Sequence, residues 1–147
     1  MIAARADGCG PTVGDMATDL YTARVTSTAG TATSDDGALS VDVHEPSELQ
    51  GTGEGTNPEQ LMAAALGSCL LESLRIATSS TSDDFEGASV EARVVLTQDG
   101  IGYTARYELE VAVPGSSDAD AVLEQALSIC PFTKTLDGST LTVRLAA

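Results

Sequence analysis

Between Gly55 and Ala77 the apolar positions keep to no single face. Leu61, Met62, Ala63, Ala64, Ala65, Leu66, Leu70, Leu71, Leu74 and Ile76 spread over nearly the whole circumference of a helical repeat, relieved only by Glu72 and Arg75. Asn57 stands where an N-cap belongs, and Pro58 suits the first helical position because its missing N–H would be unpaired there anyway. Gln60 is spaced to complete a capping box. The pattern predicts a central helix buried on almost all sides. Cys69 falls near its middle, and Ala65, Gly67 and Ser68 before it leave room for a second helix or a small ligand to approach closely.

The flanking segments alternate with period two. Leu20–Ser27 and Ala38–His44 read as strands of a hairpin, with turn residues at Ala29-Gly30 and Asp35-Asp36-Gly37 and room for a short further strand inside. Glu45–Gly55 reads as a connection with one helical turn at Ser47–Leu49, and Ser79–Gly87 as a polar loop. Val90–Gln98 and Tyr103–Val113 predict a longer hairpin about a turn at Asp99–Gly102. Ser117–Ile129 predicts an amphipathic helix capped by Ser117, which Pro131 should end at Cys130 because proline disfavours helical geometry in the residue before it. Ser139–Leu145 makes a last strand. Strands, a buried helix, a hairpin, a second helix and a strand give an α+β fold. One more helix and one sheet cover an all-round apolar helix poorly, so a second copy of the chain is expected to complete its burial.

Composition narrows the class. The chain has 147 residues, of which 42% are hydrophobic and 20% charged, which suits one globular domain over residues 18–147 behind a loose tail at residues 1–17. Seven Lys and Arg against 22 Asp and Glu leave a net charge of −15, so nucleic acid and anionic membrane are poor partners. Aromatic residues make up 3%, too few for base-stacking surfaces. Ser68, Glu72 and Arg75 interrupt the Leu61–Ala77 segment before it reaches the roughly 18 uninterrupted apolar residues of a membrane span. The Met1–Met16 stretch lacks the basic start and apolar core of a signal peptide, so a cytoplasmic protein is expected. In that compartment three cysteines point to reduced thiols or redox chemistry rather than to a disulfide framework.

The remaining chemistry-bearing residues are sparse. His44 is the single histidine and has no nucleophile beside it in the chain. Cys9, Cys69, Cys130 and His44 include no close Cys-x-x-Cys pair, which argues against zinc. Gly51-Thr52-Gly53-Glu54-Gly55 follows no βαβ strand and carries no phosphate-loop lysine, so it reads as an approach to the helix. Cys69 and Cys130, each tied to a helix, are the candidates; taken singly, each would be a small core hydrophobe.

Gly53-Glu54-Gly55-Thr56-Asn57-Pro58-Glu59-Gln60-Leu61, with Cys69 ten residues after Glu59 and Ile129-Cys130-Pro131-Phe132 later, resembles the organic hydroperoxide resistance branch of the OsmC/Ohr family. The similarity runs in register from about Tyr21 to the C-terminus. It implies two hairpin-based sheets around the central helix, an intertwined homodimer with active sites at the subunit interface, and a thiol peroxidase acting on organic hydroperoxides. Cys69 matches the peroxidatic cysteine, Cys130 the resolving cysteine and Glu59 the active-site carboxylate. A dithiol, in this family typically a lipoyl group, would restore the thiols, and the chemistry calls for no metal or organic cofactor. Ten helical residues span about 15 Å, so Glu59 cannot touch Cys69 of its own helix. Another segment or a second subunit must bridge them, or Glu59 simply complements the helix dipole.

The chain departs from the family in the run after the Cys130-Pro131 step, where Thr133-Lys134-Thr135-Leu136 replaces the usual polar run, and above all in a missing arginine. An arginine in the N-terminal half usually pairs with this glutamate and stabilises the thiolate, whereas here the turn from Ala29 to Gly37 contains none. Arg24, the single Lys or Arg between Asp19 and Leu74, is the candidate substitute, and Lys134 is the second. A non-catalytic relative that senses redox state or binds a small apolar ligand is therefore the alternative expectation.

Overall fold

The computed structural model describes residues 18–81 and 83–147. The tail expected over residues 1–17, with Cys9, lies outside them. Strands β1 (Val25–Thr28), β2 (Thr31–Ser34) and β3 (Ser40–Asp42) form an antiparallel meander, and β2 is the further strand inside the predicted hairpin. Pairing begins at Val25 rather than at Leu20, because β2 is exhausted at the Val25–Ser34 pair. Leu20 and Tyr21 are left 93% and 81% exposed. At the tip Gly30 takes φ +90°, with the His44 ring 3.5 Å from where a Cβ would stand.

A single 3-10 turn, Ser47–Leu49, leads to helix α1 (Pro58–Ser79). The Asn57 side chain accepts from the Gln60 N–H at 2.8 Å, as the cap predicted. The reciprocal half of the capping box does not form, because the Gln60 side chain accepts instead from the Thr56 hydroxyl at 2.8 Å. Gly51 and Gly55 are sterically required before the helix: a Cβ would come within 2.0 Å of the Glu45 carbonyl oxygen and 2.6 Å of that of Asp42.

Strands β4 (Ser89–Asp99) and β5 (Gly102–Ala112) pair along their full length about a two-residue turn. Helix α2 (Ala119–Ile129) follows, capped by Asp118 rather than by Ser117. Ser117 is engaged elsewhere: its N–H and hydroxyl donate to the Asp83 carboxylate at 3.0 and 3.3 Å. Pro131 stops α2 as predicted, with Cys130 at φ −63°, ψ 112°, but it also opens a further short helix, α3 (Pro131–Thr135), since proline is at home in a first turn. Strand β6 (Leu141–Leu145) returns parallel to β5, a pairing that needs the crossover α2 and α3 supply.

The core lies between α1, the β4–β5–β6 sheet and α2, and is built from Leu66, Leu70, Leu74 and Ala77 of α1, Leu109 and Val111 of β5, and Val122 and Ala126 of α2. By length and composition α1 meets the requirements of a membrane span despite its polar interruptions, yet its most apolar face is clamped in this core. The chain does not bury it all round. Leu61, Met62, Ala65 and Leu71 are half-buried, Ala64 and Ser68 are exposed, and Ile76 is 45% exposed. The reason lies in the first sheet, which packs on neither α1 nor the second sheet to any extent. Within one chain, α1 is covered by one sheet and the α2–α3 arm.

Candidate active site

The packing of α1 against α2 and α3 brings Cys69 and Cys130 together. Their sulfurs lie 3.4 Å apart, an S–H···S contact between free thiols from positions 61 residues apart. Cys69 packs against the edge of the core and stays partly open to solvent, while Cys130 is 0% exposed at the hinge between α2 and α3. Phe132, 46% exposed, stands beside the pair.

The two thiols ionise unequally. Burial pushes the Cys69 thiol above its ordinary value, with Cys130 acting in the same direction and the Phe132 N–H only partly opposing. Burial acts upward on Cys130 too, but the Thr133 hydroxyl, the Thr133 and Phe132 N–H groups and the Cys69 thiol outweigh it, so Cys130 ionises below the usual thiol range. With both protonated, the Cys130 S–H points at Cys69.

Glu59 occupies the first turn of α1, about 15 Å along the helix from Cys69. One of its oxygens, Oε2, is buried without a hydrogen-bond partner. The side chain lines a groove of about 270 Å³ with Pro46, Glu48, Leu49, Val94 and Leu96, continued by Glu45 and Tyr103. The structure therefore brings Cys69 and Cys130 together and leaves Glu59 of the same chain apart from them.

Neither candidate cation meets the carboxylate or the thiols within the chain. Arg24 pairs with Asp35 at 3.5 Å on the exposed first hairpin. Lys134 lies exposed on α3, where its N–H bonds the Cys130 carbonyl oxygen at 3.3 Å, and it enters no ion pair among the described residues. His44 lines a polar cleft of about 350 Å³ with Ser47, Glu48, Asn57 and Gln60, away from the cysteines. No cluster of potential metal ligands occurs among the described residues.

Thr133 is the residue that sequence reasoning passed over. It is 8% exposed, and its hydroxyl donates to the Cys130 carbonyl oxygen at 3.3 Å. Its signal was local, a hydroxyl three residues after a cysteine in a Cys-Pro step, but it gained meaning only once α3 had formed.

Residues 51–146 match the family described as OsmC-like protein. The organic hydroperoxide resistance protein of Xanthomonas axonopodis pv. citri is 34% identical over 127 residues, covering 82% of this chain and 89% of its own. The crystal structure of the organic hydroperoxide resistance protein OhrB of Bacillus subtilis superposes with a TM-score of 0.71 at 30% identity, over 87% of this chain and 100% of that one. The organic hydroperoxide resistance protein of Elizabethkingia anophelis gives a TM-score of 0.77 at 29% identity, over 88% and 96%.

Proposed function

Because the chain belongs to the OsmC/Ohr family, with organic hydroperoxide resistance proteins among its relatives, we propose that it is a two-cysteine thiol peroxidase that reduces organic hydroperoxides. The observation that carries this reading is the 3.4 Å approach of the Cys69 and Cys130 sulfurs, one partly open and the other sealed. The Cys69 thiolate attacks the terminal peroxide oxygen, the O–O bond breaks, and the alkoxide leaves as an alcohol after taking a proton. Cys69 is then a sulfenic acid. Cys130 attacks its sulfur, the S–O bond breaks, and water departs as the disulfide forms. A dithiol of the lipoyl type resets the pair by exchange. Apolar surroundings favour alkyl peroxides over hydrogen peroxide, because burying an alkyl chain is worth about 0.8 kcal/mol per methylene.

The working unit of this proposal is a homodimer. The half-exposed apolar side of α1, the first sheet that packs on neither α1 nor the second sheet to any extent, and the orphaned Glu59 oxygen all support a second copy closing over them. That copy would bring Glu59 of one chain to the thiols of the other, and any cation the site uses would be supplied in the same way.

The test is a free-thiol count with mapped disulfides after one equivalent of cumene hydroperoxide. Rapid loss of two thiols as a Cys69–Cys130 disulfide, abolished in Cys69→Ser, is the expected result. Survival of both thiols with the peroxide unconsumed would refute the peroxidase. A second reading, a non-catalytic redox sensor or apolar-ligand binder, draws on the upward shift of the Cys69 thiol with no cation beside it among the described residues. In that case disulfide formation would be slow and would not turn over with a dithiol.

A further inference from the structure

Two free thiols held at a fixed separation form a chelating pair as well as a redox pair. The Cys69 and Cys130 sulfurs lie 3.4 Å apart, and both backbones are anchored. Within α1 the Cys69 carbonyl oxygen accepts from the Ser73 hydroxyl at 2.9 Å. At the end of α2 the Cys130 N–H donates to the Ala126 carbonyl oxygen at 2.9 Å, and its own carbonyl oxygen accepts from the Lys134 N–H and the Thr133 hydroxyl, both at 3.3 Å. A pair fixed in this way loses little freedom when it closes on a ligand.

The separation selects among thiol-seeking centres. Trivalent arsenic is pyramidal with its bonds near right angles, so with thiolate bonds of about 2.3 Å it holds two sulfurs about 3.3 Å apart. Tetrahedral zinc with bonds of the same length would spread them to about 3.8 Å, and a linear ion such as copper(I) to about 4.6 Å. Zinc would also need further ligands, and no cluster of three potential metal ligands occurs among the described residues. An arsenic that already carries one carbon substituent needs two sulfurs and no more, which is what this pair offers.

We propose that the Cys69 and Cys130 thiols together capture trivalent mono-organoarsenicals, closing on the arsenic through both sulfurs. In the step, two S–As bonds form, two As–OH bonds and two S–H bonds break, and the hydroxides leave with the thiol protons as two waters. Arsenic stays trivalent and nothing is oxidised or reduced. The product is neutral, which suits a pair with no ion-pairing cation beside it among the described residues. It is the same whichever sulfur bonds first. Capture withdraws both thiols from oxidation, so the arsenical is a trapped ligand and not a substrate.

The experiment titrates the reduced full chain with phenylarsine oxide in the absence of oxygen, using Cys9→Ser so that the thiol count reads the pair alone. Intact mass should show one phenylarsenic per chain, with two free thiols lost. Excess 2-mercaptoethanol should leave the adduct in place, and 2,3-dimercaptopropanol should remove it, because a monothiol does not compete with a chelate. Adding Cys69→Ser or Cys130→Ala should weaken binding at least about 100-fold, the scale on which a second tethered contact adds to a first. The same chain oxidised beforehand with diamide should retain no arsenic after 2-mercaptoethanol, a readout that needs neither of these further variants to fold. None of these measurements passes through peroxide, so failure of the peroxidase reading would appear separately, as no disulfide with cumene hydroperoxide. Absence of an adduct, adducts that the monothiol strips, or undiminished retention in either cysteine variant or in the oxidised chain would each overturn the proposal.

Discussion

Cys69 and Cys130 face each other at 3.4 Å, but their chemistry is divided: the more reachable sulfur is the one burial holds protonated. The pair therefore has a built-in direction. Ionisation favours the sealed side, while access favours the open one.

A pH profile follows from that division. Because the Cys69 thiol is displaced upward, its reactive fraction at neutral pH is small and grows as pH rises through the thiol range. The second-order rate of reaction with cumene hydroperoxide, followed by stopped flow, should climb steadily from pH 6 to pH 9. A profile already flat at pH 7 would mean that a cation from outside the chain has lowered the Cys69 thiol.

The orphaned Glu59 oxygen makes a separable prediction about stability and activity. A buried acceptor without a partner costs about 1–3 kcal/mol, and the neighbouring Leu49, Val94 and Leu96 would accept an apolar side chain. Glu59→Leu should raise the urea midpoint of the separated chain while lowering peroxidase turnover. A lower midpoint would show that the carboxylate is satisfied by a group the single chain does not reveal.

Leu70 tests the central helix as the core element. It is fully buried against the sheet and α2, so Leu70→Ala should cost about 3 kcal/mol and leave a cavity. Urea denaturation followed by circular dichroism reads this directly. A loss under about 1 kcal/mol would mean that the helix rearranges around the gap.

Acid should loosen the join between the α1–β4 loop and α2. The Ser117 N–H, followed by the Thr81 hydroxyl, holds the Asp83 carboxyl below the usual carboxylate range. A carboxyl displaced downward in the folded state stabilises the fold above its unfolded value, near pH 4, and that contribution fades as pH falls through the folded value. Thermal midpoints should therefore drop below about pH 4, and Asp83→Asn should show a shallower drop than wild type, since the amide still accepts from Ser117 but does not titrate.

Much of the local structure was legible in the chain. The Asn57 cap, the long hairpin and the end of α2 at Pro131 are written within a few residues each, as side-chain oxygens, period-two alternation and a proline ring. The misplacements came where two local signals competed. Ser117 and Asp118 could each cap α2, and the choice went to Asp118 because Ser117 is drawn to Asp83, 34 residues away. Leu20–Arg24 has strand chemistry but no strand to pair with, because β2 ends at Ser34. The all-round apolar pattern of α1 was plain as well, although one chain covers only one side of it.

The sequence by itself determined which elements form and which residues could carry redox chemistry, since capping, alternation and the two cysteine motifs act over a few neighbouring positions. Only the tertiary structure decided which thiol is sealed, that the Thr133 hydroxyl bonds the Cys130 carbonyl oxygen, that Arg24 is held at Asp35, and that Glu59 lies apart from the cysteines of its own chain. Those relationships depend on how α1 packs against α2 and α3 and on where the first sheet comes to rest. Such packing is set by the summed burial of residues distant in the chain, a sum that no local window contains.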